Sequence, residues 1–284
     1  MKNTENILNQ IYAHKVREVA ERRSLYPLKL LEKSIYFSTT PVSLTEYIRN
    51  EEKSGIIAEF KTRSPSRGLI NEDADVAQVS LGYMQAGASA LSILTDQHYF
   101  GGSLKHLQMA RRENYCPILQ KDFIVEDYQI YEAKAYGADA ILLIAALLSK
   151  RRARELTAVA RKLGMEVLLE IHQASEVSKI HSSVHLVGIN NRNLKTFDVH
   201  HHHSLELANR IPDGFVRIAE SGIHQPQTAC ELLRGGFDGL LIGEAFMKHL
   251  RPEKACENFV RQLSCLNTKQ NQPSHENQGM RIER

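Results

Sequence analysis

From residue 56 onward, short apolar runs of strand length alternate with longer segments in which apolar residues recur at helical spacing. Eight such strand–helix units within about 210 residues match the number and size of a closed (β/α)8 barrel. An open doubly wound sheet would also alternate, but it does not require eight strands. The predicted fold is therefore α/β, a single (β/α)8 TIM barrel. The predicted strands are 56–60, 89–94, 117–121, 139–144, 166–171, 185–190, 215–220 and 238–242, and the predicted helices include 74–86, 103–113, 126–136, 149–163, 225–234 and 252–264.

A weak internal repeat supports the barrel. Gly87-Ala88-Ser89-Ala90, Gly137-Ala138-Asp139-Ala140 and Gly236-Phe237-Asp238-Gly239 each stand between a predicted helix and a predicted strand. A glycine after the last helical turn, followed by small residues that enter a strand, is typical of a tight αβ loop.

The regions outside the barrel differ in composition. Residues 1–50 are charged and helix-prone, with Ile7, Ile11, Val16 and Val19 at roughly helical spacing, and predict an N-terminal helical extension. Residues 51–266 are predicted to form the barrel catalytic domain. Residues 267–284 are mostly polar and are predicted to be disordered. The run His200–His203 is interpreted as an exposed helix start, with adventitious metal affinity as the alternative.

Bulk composition limits the classes of partner. The chain has 284 residues, of which 42% are hydrophobic and 24% charged, with a formal net charge of +3. That charge suits an anionic small molecule but is too weak to predict a nucleic-acid partner. The basic run 150–154 is interpreted as a solvated helix face.

Cysteine usage and hydropathy indicate the compartment. The four cysteines form no metal-ligand spacing and no disulfide-dense pattern, so we expect a reducing, cytoplasmic location and no metal site. The N-terminus lacks the apolar core of a signal peptide. The longest apolar run, 140–148, is far shorter than the roughly 20 residues of a membrane span, so no membrane association is expected.

Charged and polar side chains recur at the ends of the predicted strands. In a (β/α)8 barrel these ends and the loops after them form one mouth, where active sites lie. Three cations would therefore face three carboxylates there, with Lys121 standing alone at the end of its strand. Structural ion pairs that cap strand ends are the alternative explanation, most plausibly for Glu59 and Lys61. The residues concerned are Glu59, Lys61, Lys121, Glu170, Asn190, Arg192 and Glu220.

Glycines follow the last two predicted strands. Ser221 and Gly222 come after the seventh strand, and Gly243 comes after the eighth. Glycine lets backbone N–H groups approach an anion closely, and barrels often bind a phosphate between these two loops. We therefore predict a phosphate site there. A bulky residue at Gly243 is expected chiefly to raise KM.

Several segments form a specific pattern when they are taken in order: Glu59-Phe60-Lys61, Ser64-Pro65-Ser66-Arg67-Gly68, Leu94-Thr95-Asp96, Tyr99-Phe100-Gly101-Gly102, Lys121-Asp122-Phe123, Glu170, Gly188-Ile189-Asn190-Asn191-Arg192-Asn193-Leu194, Glu220-Ser221-Gly222 and Leu241-Ile242-Gly243. This pattern resembles the indole-3-glycerol phosphate synthase family over residues 5–264. The resemblance implies a (β/α)8 barrel with an N-terminal helical extension. It also implies closure of an indole ring in tryptophan biosynthesis, a phosphorylated small-molecule substrate, no cofactor, and tryptophan-pathway enzymes as possible partners.

The resemblance also implies roles for individual residues. Lys121 matches the general acid for ring closure and Glu170 a catalytic carboxylate. Lys61 would hold the departing carboxylate or donate a proton in dehydration. The other catalytic candidates are Glu59, Asn190 and Glu220, and the substrate-binding candidates are Ser64, Phe100, Arg192, Ser221, Gly222 and Gly243.

Two positions depart from the family pattern. Arg67 stands where a lysine is common, and Glu244 stands where a serine is frequent. A carboxylate beside a phosphate would be repulsive, so the side chain of Glu244 is expected to point away.

Two other functions are open to the same fold. Phosphoribosylanthranilate isomerase is also a phosphate-binding barrel, but its family uses a cysteine at the end of the first strand, where this chain has Glu59 and Lys61. Cys116 precedes the third strand, at the opposite end of the barrel. A non-catalytic barrel that binds a phosphorylated ligand or a partner protein would keep the glycines and lose the acid–base groups, and here both are present.

Overall fold

A computed structural model describes residues 4–65, 67–192 and 201–268 of the chain. Eight parallel strands form a closed barrel in which neighbours in sequence are paired and the first strand pairs with the last. The predicted fold class is thereby confirmed. All eight strands end at the predicted residue, and none starts more than one residue from its predicted start. They are β1 (Ile56–Phe60), β2 (Ala90–Leu94), β3 (Ile118–Lys121), β4 (Ala140–Ile144), β5 (Glu166–Ile171), β6 (Leu186–Asn190), β7 (Val216–Glu220) and β8 (Gly239–Ile242).

Helices surround the barrel and precede it. The loop after β1 contains a small antiparallel hairpin whose two strands have two residues each, Arg63–Ser64 and Gly68–Leu69. Two short 3-10 helices, Ala145–Leu147 and Ala174–Lys179, follow β4 and β5. The α-helices of the described residues are α1 (Thr4–Leu25), α2 (Leu28–Leu31), α3 (Leu44–Arg49), α4 (Val76–Gln85), α5 (Gln97–Phe100), α6 (Leu104–Glu113), α7 (Asp127–Ala135), α8 (Lys150–Lys162), α9 (His201–Ala208), α10 (Pro226–Arg234), α11 (Glu244–Met247) and α12 (Pro252–Thr268).

Side-chain alternation along the strands divides the core into two layers. Ile57 points into the barrel interior with Leu119 and Leu168, whereas its neighbours Ile56 and Ala58 pack against the outer helices. Because both faces of each strand are buried, the strands read as continuous apolar runs, which is why their ends are predictable. Burying each aliphatic side chain contributes about 1.5–3 kcal/mol.

Polar side chains fix where the outer helices begin. The side chains of Asp75, Ser103 and Ser149 accept hydrogen bonds from backbone N–H groups in the first turns of α4, α6 and α8. Such N-caps typically contribute about 1 kcal/mol each.

The N-terminal extension contacts both ends of the barrel. At the bottom, Leu44 and Ile48 of α3 pack against the interior layer. At the mouth, α1 buries Ile11 and Val19, as its predicted apolar face requires, but the position midway between them is Lys15, which is fully buried.

Part of the C-terminal region for which predictions were made lies outside the described residues. Helix α12 continues to Thr268, two residues beyond the predicted barrel boundary at 266, and 269–284 lie outside the described part. Helix α9 begins at His201, within the His200–His203 run, whereas His200 is not described.

Candidate active site

The carboxyl ends of the eight strands surround a cavity of about 200 Å³. Every residue proposed for the site from the sequence lines this cavity. Those with acid–base or charge-binding side chains are Glu59, Lys61, Lys121, Glu170, Asn190, Arg192 and Glu220, and the others are Ser64, Phe100, Ser221, Gly222 and Gly243. The structure therefore brings the whole predicted set together, while the role of each residue stays a prediction.

Lys121 lies between two carboxylates at the base of the cavity. Its Nζ is 3.2 Å from Glu170 Oε2 and 3.6 Å from Glu220 Oε2. Lys121 has no acidic partner on its own strand, and strands distant in sequence place their glutamates beside it. Gly188 on β6 makes this possible, since a Cβ there would lie 2.0 Å from Glu220 Oε1.

The three groups perturb one another's protonation. Burial alone would lower the pKa of Lys121, but Glu170, Glu220 and Glu59 outweigh burial and raise it. Burial would raise the pKa of Glu170, but Lys121 and His172 hold it well below its usual range. Burial and the charge of Glu170 together raise the pKa of Glu220. Of these three groups, Lys121 is therefore an ammonium at neutral pH, Glu170 is a carboxylate and Glu220 is protonated.

His172 stands behind Glu170 and was not predicted from the sequence. Its Nε2 is 3.1 Å from Glu170 Oε1, and Glu176 Oε2 is 3.8 Å from its Nδ1. Burial would lower the pKa of His172, but these two carboxylates raise it to about 9. The position of His172 was the available signal: it directly follows β5, two residues after Glu170, where extended backbone sends both side chains to the same face.

Lys61 forms a separate ion pair at the end of β1. Its Nζ is 2.8 Å from Glu59 Oε1. Gly243, at the end of the neighbouring β8, leaves room for this pair, because a Cβ on Gly243 would lie 2.6 Å from the same oxygen. Glycine is therefore needed at position 243 because the Glu59 side chain lies so close to it, in addition to any role of this glycine in anion binding.

The loop after β7 has an uncommon backbone conformation. Ser221 and Gly222 both have positive φ angles, 69° and 72°, and Ser221 is the one non-glycine residue with positive φ in the described part of the chain. The side-chain amide of Asn191 donates a 2.8 Å hydrogen bond to the Ser221 carbonyl oxygen and fixes this turn. Strained positions of this kind cluster at ligand-binding sites.

Glu244 bridges two arginines at the rim beside this loop. Its Oε1 is 3.0 Å from Arg67 Nη2 and its Oε2 is 3.4 Å from Arg192 Nη2. Glu244 also lines the cavity. The expectation that its side chain points away from the site is thus not met, because two cations hold the carboxylate at the rim.

Aromatic and aliphatic side chains form the opposite wall. The rings of Phe100 and Phe123 lie 6.0 Å apart, centroid to centroid, and both residues line the cavity. Leu8 and Ile11 of α1 complete this wall. The sequence pattern did not predict that α1 reaches the cavity.

In the described ranges, no three His, Cys, Asp or Glu side chains are arranged to hold a metal ion. None of the helices in the described part is both long and apolar enough to cross a membrane.

A closed (β/α)8 barrel whose mouth combines a paired lysine, ionised and protonated glutamates and glycine-bearing last loops defines a barrel enzyme that performs acid–base chemistry. The family model described as indole-3-glycerol phosphate synthase matches residues 8–260. The chain belongs to the indole-3-glycerol phosphate synthase family, so the predicted resemblance is confirmed.

Individual relatives agree with this assignment. An indole-3-glycerol phosphate synthase of Bacteroides thetaiotaomicron is 44% identical over 259 residues, which cover 91% of this chain and 99% of the relative. The protein of the same name from Sulfurimonas denitrificans is 42% identical, with 89% and 98% covered.

Solved structures share the fold at much lower identity. The tryptophan synthase complex of Pyrococcus furiosus contains a chain that superposes with a TM-score of 0.55 at 18% identity, covering 75% of this chain and 98% of that one. The thiamine phosphate pyrophosphorylase of the same organism gives 0.54 at 14%, with 78% and 99% covered. At these identities the likeness shows the barrel fold alone.

Proposed function

We propose that this protein converts 1-(2-carboxyphenylamino)-1-deoxyribulose 5-phosphate into indole-3-glycerol phosphate, carbon dioxide and water in tryptophan biosynthesis. Family membership supports the reaction, and one observation carries the mechanism. The Lys121 ammonium lies between two buried glutamates, one ionised and one protonated, at the base of a cavity with an aromatic wall and a glycine-bearing rim. That arrangement matches a substrate with an aryl ring at one end and a phosphate at the other.

Ring closure is assigned to Lys121. The ring carbon that bears the carboxylate attacks the ketone carbon, and the ketone oxygen takes a proton as the carbon–carbon bond forms. An alkoxide is more basic than an amine, so an ammonium with a raised pKa still donates to it. Glu170 and Glu220 keep Lys121 charged and aimed before substrate binds.

Decarboxylation and dehydration are assigned to the groups around Lys61. The Lys61 ammonium, held 2.8 Å from Glu59, binds the substrate carboxylate until carbon dioxide leaves and aromaticity returns. Lys61 then donates a proton to the departing hydroxyl group. Glu170, the ionised member of the glutamate pair, accepts the proton lost from the five-membered ring.

The remaining candidates bind substrate. Asn190 and Arg192 line the side of the cavity formed by β6 and suit the hydroxyl groups and the carboxylate. Phe100 contributes an aromatic face for the aryl ring. The phosphate is assigned to the rim, where positive-φ turns and glycine leave backbone N–H groups approachable. Its ligands would be Ser64, Ser221, Gly222 and Gly243.

Turnover of the aminodeoxyribulose phosphate by purified protein tests this proposal. The chain contains no tryptophan, so indole fluorescence of the product should rise over a low background. Lys121→Met should abolish most of the signal, whereas Lys162→Met, which alters an exposed lysine of α8, should not. Binding without turnover would favour the non-catalytic barrel, and turnover of phosphoribosylanthranilate would favour the isomerase.

A cytoplasmic location and an association with another tryptophan-pathway enzyme remain part of the proposal. Size-exclusion chromatography of the protein mixed with each pathway enzyme would test the association. A shared elution position supports it, and independent elution contradicts it.

A further inference from the structure

Lys15 of α1 is a buried cation that the proposed chemistry does not use. Its side chain is fully buried, and its Nζ lies 2.8 Å from Asp96 Oδ2, 2.8 Å from Asp122 Oδ1 and 3.1 Å from Glu18 Oε2. An ammonium is buried at a large desolvation cost unless it is paired, so this site exists because α1 and the barrel supply its partners together. Two of those partners stand at the mouth: Asp96 is two residues after the end of β2, and Asp122 directly follows β3.

Asp96 connects Lys15 to the loop after β2. While Oδ2 contacts the ammonium, Oδ1 accepts hydrogen bonds from the backbone N–H groups of Tyr99 and Phe100, at 2.6 and 3.2 Å. These bonds cap α5, the single-turn helix that carries Phe100 into the cavity. The ring of His14, the neighbour of Lys15 on α1, also contacts the ring of His98 of α5 in a tilted arrangement, with 4.6 Å between the ring centroids.

Asp122 makes an equivalent connection to the loop after β3. Its Oδ1 contacts Lys15 and also accepts a 2.7 Å hydrogen bond from the backbone N–H of Phe123. Its Oδ2 accepts a 2.5 Å hydrogen bond from the Thr95 hydroxyl group. Asp122 follows Lys121 directly, so the same carboxylate lies one residue from the proposed general acid and one residue from the aromatic wall.

We propose that Lys15 is a positioning residue of this active site: through Asp96 and Asp122 it holds Phe100 and Phe123 in place to bind the aryl end of the substrate. The inference rests on the proposed function and adds a residue of the N-terminal extension to it. Without the ammonium, two buried carboxylates would share a site with no cation on them, and at least one would take up a proton or turn away. Either change weakens the hydrogen bonds to the loop N–H groups, so the aromatic wall loses its fixed geometry.

A purely structural role is the alternative, in which Lys15 only attaches α1 to the barrel. Arg22 provides the matched control, because it lies two turns further along the same helix, pairs with Glu132 of α7 at 2.9 Å, and shares only Glu18 with Lys15 and neither of the two aspartates. Lys15→Met and Arg22→Met should both lower the melting temperature. We expect KM to rise about tenfold or more in Lys15→Met with a smaller fall in kcat, because aryl binding is lost. In Arg22→Met both constants should stay within about twofold of the unaltered protein.

A double-mutant cycle that combines Lys15→Met with Phe100→Leu distinguishes a positioning role of Lys15 from a purely structural one. If Lys15 acts through the aromatic wall, adding Lys15→Met to Phe100→Leu should raise KM by a clearly smaller factor than it does in the unaltered protein, because only the Phe123 part of the wall is left to lose. A purely structural Lys15 would raise KM by the same factor in both backgrounds, and that result overturns the proposal. So does a Lys15→Met protein that is folded at the assay temperature and has an unchanged KM.

If Lys15→Met does not fold, Lys15→Met/Glu18→Gln carries the same test. This pair removes one negative and one positive charge from the cluster and leaves both aspartates in place. The same rise in KM supports the proposal, and an unchanged KM contradicts it. Turnover by the unaltered protein tests the proposed function by itself, so failure of that function is distinguishable from failure of this inference.

Discussion

Lys121 shows how the protonation of a few side chains depends on contacts between distant parts of the chain. Alone, a lysine at a strand end would be an exposed cation with ordinary chemistry. Here Glu170 and Glu220 hold its ammonium at 3.2 and 3.6 Å, and the two glutamates titrate as a pair in which the pKa of Glu220 is raised. The pair therefore supplies one base and one proton.

His172 should make stability depend on pH. Its pKa is raised from 6.5 to about 9, so the folded state binds a proton that the unfolded state has lost across that interval. This stabilisation is complete below about pH 6.5 and disappears as the pH rises through about 9. Compared with His172→Gln, the unaltered protein should lose about 3 kcal/mol of unfolding free energy between about pH 6 and pH 10.

Chemical denaturation of both proteins across this pH range measures the effect. His181→Gln serves as the control, because the pKa of His181 is lowered and no such loss is expected above about pH 7. A His172→Gln protein whose difference from the unaltered one is constant with pH would show that His172 is not protonated beside Glu170.

Gly243→Ala should affect catalysis more than a simple phosphate ligand would. The added Cβ would lie 2.6 Å from Glu59 Oε1, so the Glu59–Lys61 pair must move. The sequence alone predicts chiefly a higher KM, whereas the structure predicts that kcat falls as well, by about tenfold. Steady-state kinetics measure both constants.

Gly214→Ala is the matched control for that variant. Gly214 has a φ of 95° but no atom within 4 Å of a built Cβ, and it precedes β7 at the far end of the barrel. It should lower the melting temperature and leave the kinetics unchanged. A kcat for Gly243→Ala equal to that of the unaltered protein would show that Glu59 and Lys61 tolerate the displacement.

Glu244→Gln should lower KM. The substitution removes a negative charge from the rim and frees Arg67 and Arg192 to attract the substrate phosphate, so we expect a fall of about threefold at low salt. Glu155→Gln, which alters an exposed ion pair with Arg151 on α8, should leave KM unchanged. A higher KM in Glu244→Gln would mean that the carboxylate organises the two arginines for binding instead of competing with the phosphate.

At the scale of the elements, hydrophobic periodicity predicts most of the strands and helices, but it does not predict ion pairs between residues that are far apart in the sequence. Strand ends are predictable because each strand is a nearly continuous apolar run, and some of these runs end on a charged residue, as at Lys121 and Glu220. Lys15 is different, since its two partners lie about 80 and 107 residues away along the chain. A lysine midway between Ile11 and Val19 on one helical face was nevertheless a visible signal. The same limit explains why Glu244 was expected to point away.

Helix α12 sets the limit for C-terminal truncation. Leu263 is 3% exposed and packs in the outer core, whereas the polar composition of 267–284 predicts no packing. Deletion of 267–284 should change the melting temperature and turnover little. Deletion of 262–284 removes Leu263 and should lower the melting temperature by several degrees. Equal losses in the two deletions, measured by thermal unfolding, would show that the last residues dock on the barrel.

At the scale of the whole molecule, the barrel brings residues 59 to 243 to one mouth, and the N-terminal extension closes that mouth from outside. Strand order converts positions far apart in the chain into neighbours, as with Glu170 on β5 and Glu220 on β7. The sequence predicts which residues meet there, because every strand of a parallel barrel points the same way. The order of chemical steps depends on side-chain pairs that only the folded chain shows.

Single-turnover chemical quench of Lys121→Met and Lys61→Met tests the central claim, that Lys121 is the acid of ring closure. A general acid typically contributes about 10² to 10⁴ in rate. With enzyme in excess over the aminodeoxyribulose phosphate, Lys121→Met should consume substrate at least about 10²-fold more slowly and accumulate no ring-closed species. Lys61→Met should close the ring and accumulate the closed, undehydrated compound. A closed, undehydrated intermediate that builds up in Lys121→Met would contradict the assignment and reverse the roles of the two lysines.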